Sequence, residues 1–273
     1  MPLKGQKIGC LGGGAMGEAL VAGLLGKGLV DASKIYVSDI DQRRLEYLSQ
    51  KMGVNTSSDN IDVVKTADII ILAVKPYVIV PLLKEIVPAA RKEHTFISIA
   101  AGITIEQLQS CFEEHIPVVR AIPNTPCLVG EGATALSAGK YADEGNMEKA
   151  LAVFAAAGKV AVVPEALLDC VTGLSGSGPA YMYIIMEAFT DGAVRLGLPR
   201  DTARVLIAQT MLGAAKMVLE TGEHPGKLKD MVTTPGGTTM AGLFALEEGG
   251  VRALMMKAVA NATQRAREMA DIK

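Results

Sequence analysis

Lys7-Ile8-Gly9-Cys10-Leu11-Gly12-Gly13-Gly14-Ala15-Met16-Gly17 is the stretch whose reading decides the fold. A short apolar run, sized for a buried strand, passes directly into G-x-G-x-x-G, and a helical pattern from Ala15 to Gly26 follows. Each glycine has a reason. Gly12 permits the tight turn, Gly14 lets a pyrophosphate approach the backbone, and Gly17 lets the helix lie close to the strand. The helix start presents free N–H groups and a partial positive charge to the phosphates. A glycine loop alone is a weak signal. Here it lies between strand and helix, and Asp39 follows at the end of the second strand pattern, 22 positions after Gly17. That context is the dinucleotide fingerprint.

Outward from this loop, the chain divides into two textures. Up to Pro164, apolar runs at Lys7–Leu11, Lys34–Ser38, Asp68–Val74, Thr95–Ile99, Val118–Ile122 and Lys159–Val163 alternate with helical patterns. The helical patterns are Ala15–Gly26, Gln42–Met52, Val78–Ala90 and Asn146–Ala157. Consecutive apolar positions indicate strands covered on both faces, and the alternation indicates βαβ units. Gly132–Ser137 is expected to add a further, antiparallel strand. The expectation is an α/β fold: a Rossmann-type, doubly wound and mostly parallel sheet over residues 1–164, then an all-helical dimerisation domain over 165–273. In that second part, helices are expected at Pro179–Leu196, Pro199–Thr221 and Val251–Ile272. Nine of the 13 methionines fall there. Met and small residues suit close helix packing, so these helices are expected to pack against a second subunit.

Composition excludes several classes. The 273 residues are 49% apolar and 21% charged with a formal net charge of −2, an ordinary globular balance without the basic block that nucleic acid requires. No continuous apolar run approaches the roughly 20 residues that span a bilayer, and residues 1–6 lack the layout of a secretory signal. Cys10, Cys111, Cys127 and Cys170 show neither CxxC nor CxH spacing, so no metal is expected and a reducing cytoplasm is the simplest setting.

The coenzyme choice stays open at this point. Asp39 can accept hydrogen bonds from both ribose hydroxyls and repels a 2′-phosphate, whereas Ser38, Arg43 and Arg44 offer the opposite interaction. Four more stretches stand at strand ends or helix starts: Ala73-Val74-Lys75-Pro76, Ser98-Ile99-Ala100-Ala101-Gly102, Pro123-Asn124-Thr125-Pro126 and Pro235-Gly236-Gly237-Thr238-Thr239. Carboxyl ends of parallel strands are where such sheets bind ligands.

Together these motifs resemble the Δ1-pyrroline-5-carboxylate reductase family. The most specific are Leu174-Ser175-Gly176-Ser177-Gly178-Pro179-Ala180-Tyr181, Gly222-Glu223-His224-Pro225-Gly226 with Leu228-Lys229-Asp230, and Thr234 through Thr239. The resemblance implies reduction of 1-pyrroline-5-carboxylate to L-proline by NADPH or NADH in a homodimer or an assembly of dimers. It implies cofactor contacts at Gly12, Gly13, Gly14, Ala15, Met16, Gly17, Ser38, Asp39, Asn60, Ala73, Val74, Lys75, Pro76, Ala100, Ala101 and Gly102, with Glu165 as a further one. It implies a substrate loop at Thr234, Gly237, Thr238 and Thr239. Asn124, stiffened between two prolines, joins the substrate residues. Ser38-Asp39 stands where family members often carry serine or threonine, so Asp39 departs from the NADPH-favouring pattern.

The chemistry is compatible with these residues. Exposed N–H groups and a helix start in the Gly-Gly-Thr-Thr stretch can hold a carboxylate without an arginine, and Thr239 can serve beside the ring nitrogen as the catalytic group. His224 reads as a turn-stabilising side chain. Two rivals remain. β-Hydroxyacid dehydrogenases share the layout, and Gly173, Gly176 and Gly178 match their glycines, but their catalytic lysine and asparagine positions hold Met182 and Met186, and methionine cannot transfer a proton. A non-catalytic nucleotide sensor is the rival of another class.

Overall fold

The computed structural model describes residues 2–112 and 115–271. Eight strands form one sheet: β1 Ile8–Leu11, β2 Ile35–Ser38, β3 Asn55–Ser57, β4 Ile69–Leu72, β5 Thr95–Ser98, β6 Val118–Ile122, β7 Gly132–Ala138 and β8 Gly158–Val162. Their order is β3-β2-β1-β4-β5-β6-β7-β8. Every neighbouring pair is parallel except β6 and β7, which run antiparallel with Ala121 opposite Leu136. β1 is flanked by β2 on one side and β4 on the other, so the order reverses at β1 and opens a crevice beyond its carboxyl end.

The helices of this part are α1 Ala15–Gly26, α2 Gln42–Met52, α3 Asn60–Thr66, α4 Pro76–Ile86, α5 Ile105–Gln109, α6 Glu144–Ala155 and α7 Leu168–Val171. They cover both faces of the sheet, and strand side chains alternate accordingly. Ile69 and Ile71 join one apolar cluster with Leu20, Leu24 and Phe154, whereas Ile70 and Leu72 join another with Leu83, Ile86 and Phe96. The continuous apolar runs thus arise from two-sided burial.

Local chemistry sets the helix starts. Pro76 at the first position of α4 pre-sets its φ, so that helix starts two residues before Val78. α6 starts at Glu144 because Asp143 and Asn146 form a reciprocal capping box. β3, α3 and α5 are too short to register as periodic patterns. Asp59 caps α3, and Thr104 with Gln107 forms a capping box at α5.

Residues up to Ser177 and those from Ala260 onward make one compact unit, and Gly178–Val259 makes another. Strand signals end at Pro164. The residues from there to the break, α7 and a π-helical turn over Thr172–Gly176, pack with β7. The later helices are α8 Gly178–Arg195, α9 Arg200–Thr221, α10 Pro225–Met231, α11 Thr238–Glu248 and α12 Val251–Asp271. The expected end of the last helix, Ile272, lies outside the described residues. Within the second unit α8 packs along α9. Ile184, Leu206, Leu219 and Phe244 in these helices are each more than half exposed. By length and composition α9 could cross a membrane. A search for continuous apolar runs passes it over because Arg204, Gln209, Thr210 and Lys216 interrupt it.

Candidate functional site

The Gly12–Gly17 loop fits the role of each glycine. Gly12 has φ +107°, and a Cβ there would lie 2.6 Å from the Ala73 carbonyl oxygen. At Gly17 a Cβ would lie 2.3 Å from the Gly12 carbonyl oxygen and 3.0 Å from Cys10 Sγ. Gly14 is different: a Cβ there would meet nothing within 4 Å. Of the loop glycines, only Gly14, to which the spacing assigns close approach of a pyrophosphate, lies beside open space. Gly14 is also the N-cap of α1 and has no side chain to occupy the helix start. The first ladder bond runs from Glu18 N–H to the Gly14 carbonyl, 2.9 Å. The Ala15, Met16 and Gly17 amides therefore precede the ladder and can serve an anion. Burial, reinforced by the Asp39 charge, pushes the Cys10 thiol up to about 12, so the sulfur behind the loop stays protonated.

At the edge of β2, Asp39 Oδ2 accepts from the Gly13 amide at 2.7 Å, and its Oδ1 accepts from the Asp41 amide at 3.0 Å. Ser38 is fully buried and donates its hydroxyl to Asn60 Oδ1 at 2.7 Å. Asn60 in turn donates to Glu85 Oε1 at 3.1 Å. Arg44 donates to the Gly13 carbonyl and pairs with Glu18. Lys51 (2.8 Å) and the Tyr47 hydroxyl (3.2 Å) also donate to the Glu18 carboxylate. These donors hold Glu18 below the usual carboxylate range against a burial effect that acts the other way. Ile40, directly after Asp39, is 99% exposed, a large apolar side chain that sequence reasoning passed over.

Three further loops leave the carboxyl ends of β4, β5 and β6. Ala73 and Val74 press on Gly12, and Lys75 is exposed as the N-cap of α4. Ala100 is buried, and its amide donates to Ser98 Oγ at 3.3 Å. Ala101 and Gly102 are half-buried. Asn124 donates to the Ser175 carbonyl at 3.0 Å and accepts from the Ala133 amide at 2.9 Å, so it ties the β6 loop to the Leu174–Pro179 stretch. Glu165 accepts from Ile105 N–H at 2.7 Å and pairs with buried Arg120 at 3.0 Å. These two groups occupy its Oε1. Nothing in the spacing of Arg120 and Glu165, 45 residues apart, signals this pair.

In the second unit, Thr234 to Gly237 form a turn closed by Gly237 N–H to the Thr234 carbonyl, 3.0 Å. A Cβ at Gly237 would lie 2.3 Å from the Thr234 hydroxyl, and Gly236 has φ +67°. Gly237 is the N-cap of α11, again with no side-chain cap. The Thr238 and Thr239 amides precede the first ladder bond, Ala241 N–H to the Gly237 carbonyl, 3.3 Å. Thr239 is half-buried and Thr238 exposed. Nearby, His224 Nδ1 accepts from the Gly226 amide at 3.0 Å and caps α10, as a turn-stabilising side chain does.

Residues 165–269 match the family model described as pyrroline-5-carboxylate reductase dimerisation, and residues 7–102 match that described as NADP oxidoreductase coenzyme F420-dependent. The chain is 45% identical to a pyrroline-5-carboxylate reductase of Methanosarcina acetivorans, over 98% of this chain and 99% of that one. A solved pyrroline-5-carboxylate reductase from Coxiella burnetii superposes with a TM-score of 0.93 at 38% identity, covering 97% of this chain and 98% of that one. A Plasmodium falciparum pyrroline carboxylate reductase with NADP bound superposes at 0.87 with 30% identity, covering 98% and 99%.

Proposed function

The chain belongs to the pyrroline-5-carboxylate reductase family, and from that premise we infer that it reduces 1-pyrroline-5-carboxylate to L-proline with NADPH or NADH, the last step of proline synthesis. The observation that carries the assignment of roles is that α1 and α11 begin at a glycine of each loop motif with no side-chain cap; α4 and α9 also lack one, but start at Lys75 and Pro199. In contrast, α2, α3, α5 and α6 are all capped by their own Asp or Thr side chains. A helix start left open in this way suits an anion from outside the chain.

In this reading the Gly12–Gly17 loop takes the pyrophosphate, Asp39 the adenosine ribose, and Ile40 gives the adenine an aliphatic surface. Ala73 to Pro76 and Ala100 to Gly102 line the path toward the nicotinamide. Bound there, the coenzyme supplies a hydride to the imine carbon. The α11 start, with Thr234, Gly237 and Thr238, takes the substrate carboxylate. Thr239 places its hydroxyl beside the ring nitrogen and accepts a hydrogen bond from it once protonated. A cyclic imine is basic enough to acquire that proton from solvent, so each turnover consumes one hydride and one proton without a strong protein acid. Positioning then supplies most of the rate, an effect worth about 7–11 kcal/mol. Asn124, held by Ser175 and Ala133, keeps one N–H and one lone pair for the substrate.

The exposed apolar side chains of α8, α9 and α11 make up the surface a second copy covers, so the enzyme works as a homo-oligomer, a dimer or an assembly of dimers. Its four cysteines are unpaired, in keeping with the reducing cytoplasm we assign to it. The alcohol-dehydrogenase alternative fails on Met182 and Met186. The test is spectrophotometric: adding pyrroline-5-carboxylate should oxidise NAD(P)H with matching formation of L-proline. Normal coenzyme binding with no turnover would sink the reductase reading and favour a sensor.

A further inference from the structure

The sequence left four polar side chains competing to choose the coenzyme: Ser38, Asp39, Arg43 and Arg44. The structure separates them. Ser38 is fully buried and its hydroxyl is given to Asn60, so it offers a phosphate nothing. Arg44 is committed twice, to the Gly13 carbonyl and to the Glu18 carboxylate. Lys51, the next cation along α2, is committed to the same carboxylate. Asp39 is half-buried and pinned at both oxygens by backbone amides, Gly13 at 2.7 Å and Asp41 at 3.0 Å. A carboxylate has about four acceptor sites, so this one retains capacity for a ribose diol. Because its first partner is an amide of the glycine loop, it cannot swing away from the loop without leaving that amide unpaired. Arg43 is exposed in the first turn of α2, with its backbone amide on the Asp41 side chain. It is the cation that could still oppose Asp39.

We propose that Asp39 makes this chain NADH-preferring. Its fixed carboxylate accepts from the 2′- and 3′-hydroxyls of the adenosine ribose and repels a 2′-phosphate that neither Ser38 nor Arg44 is available to neutralise. The proposal rests on the reading of the Gly12–Gly17 loop as the pyrophosphate site, and it is independent of which imine is reduced.

The test is a binding titration without imine, following the fluorescence of the reduced nicotinamide as NADH or NADPH is added to the intact enzyme. NADH should bind about tenfold tighter or more, a ratio equivalent to about 1.4 kcal/mol. Asp39→Ser should bring the two affinities level or invert them. Asp39→Asn, which removes the charge with little change of shape, should fall between and guards against a fold failure in the serine variant. Because Asp39 also holds Gly13, either variant can weaken both coenzymes. The ratio is therefore the readout, since a purely structural role would leave it unmoved. Arg43→Ala should change the ratio less than about twofold, well inside one tenfold step. Three outcomes would overturn the proposal: NADPH binding as tightly as NADH in the unaltered enzyme, an unmoved ratio in both Asp39 variants, or NADPH affinity that collapses with Arg43→Ala. A tenfold NADH preference alongside no reduction of pyrroline-5-carboxylate would leave this inference standing and defeat the reductase reading instead.

Discussion

The loops Gly12–Gly17 and Thr234–Thr239 share one feature, a helix start whose glycine N-cap leaves its amides without a side-chain cap, in different surroundings. The first is hemmed in: Gly12 lies against the Ala73 backbone, Gly17 against Gly12 and Cys10, and Gly13 is clasped at its N–H by Asp39 and at its carbonyl by Arg44. The second is held by contacts within the loop itself, Thr234 against Gly237, and four of its six residues are exposed. A cradle for a large, invariant coenzyme phosphate can be built into a packed sheet edge. On the proposed roles, a small substrate that must enter and leave would be served by an exposed loop on helices that themselves expose much apolar surface. Framework contacts fix the first loop, so changes to it should be felt in the fold, whereas changes to the second should be felt mainly in turnover.

The sharpest break in that contrast is Gly17→Ala. Its methyl would lie 2.3 Å from a backbone oxygen that cannot move aside. Coenzyme binding should fall below detection in a fluorescence titration, and the thermal midpoint should drop with a destabilisation of about 3 kcal/mol or more. Thr239→Val tests the other loop. A hydrogen bond to a charged group is worth about 1.5–3 kcal/mol, so kcat should fall by about 10–100-fold with coenzyme affinity and thermal midpoint unchanged. Unaltered kcat would remove Thr239 from the chemistry. Gly14→Ala separates fold from function within the first loop. Its methyl enters open space, so the midpoint should hold while coenzyme affinity falls about tenfold, roughly 1.4 kcal/mol. A lowered midpoint would show that Gly14 is structural.

The last prediction is an acid one, felt only below neutral pH, at His94 beside β5 of the sheet that carries the first loop. Burial, with Arg91 adding to it, depresses His94 from 6.5 to about 4. The unfolded chain therefore binds this proton first as pH falls. The contribution of neutral His94 is fully present above about pH 6.5 and is lost progressively between there and about pH 4. His94→Gln should flatten stability over that window in chemical unfolding at several pH values, and an unchanged pH profile would exclude His94 as the cause.

How much of this was legible in the sequence depends on what kind of force fixes each part. The sheet, its antiparallel β7 and helices α1 and α2 followed from burial and periodicity, which are written residue by residue. The Gly12–Gly17 loop was legible because a tight turn and close approaches demand glycine at fixed spacing. β3, α3 and α5 were not, because a three-residue strand and helices of one or two turns carry no period. The commitments of Ser38, Arg44 and Asn124 were invisible for a different reason. Each depends on a partner brought near by the fold, Asn60, Glu18 and Ser175, and nothing in the spacing of those pairs announces it. The π-helical turn at Thr172–Gly176, within the most specific motif of the chain, was likewise legible only as a motif.

The bond from the Gly13 amide to Asp39 has a consequence for how such an enzyme could change over generations. In a design where the phosphate cradle and the ribose reader were separate parts, coenzyme choice could drift by single substitutions at the reader. Here the proposed ribose reader is also the acceptor for Gly13, so replacing it leaves a loop amide without its partner, at a cost of about 1–3 kcal/mol where water cannot substitute. A lineage moving away from the carboxylate needs a second change, or a replacement such as serine whose hydroxyl can still accept from Gly13. The shared bond narrows the mutational routes between the two coenzymes to those that preserve an acceptor at position 39.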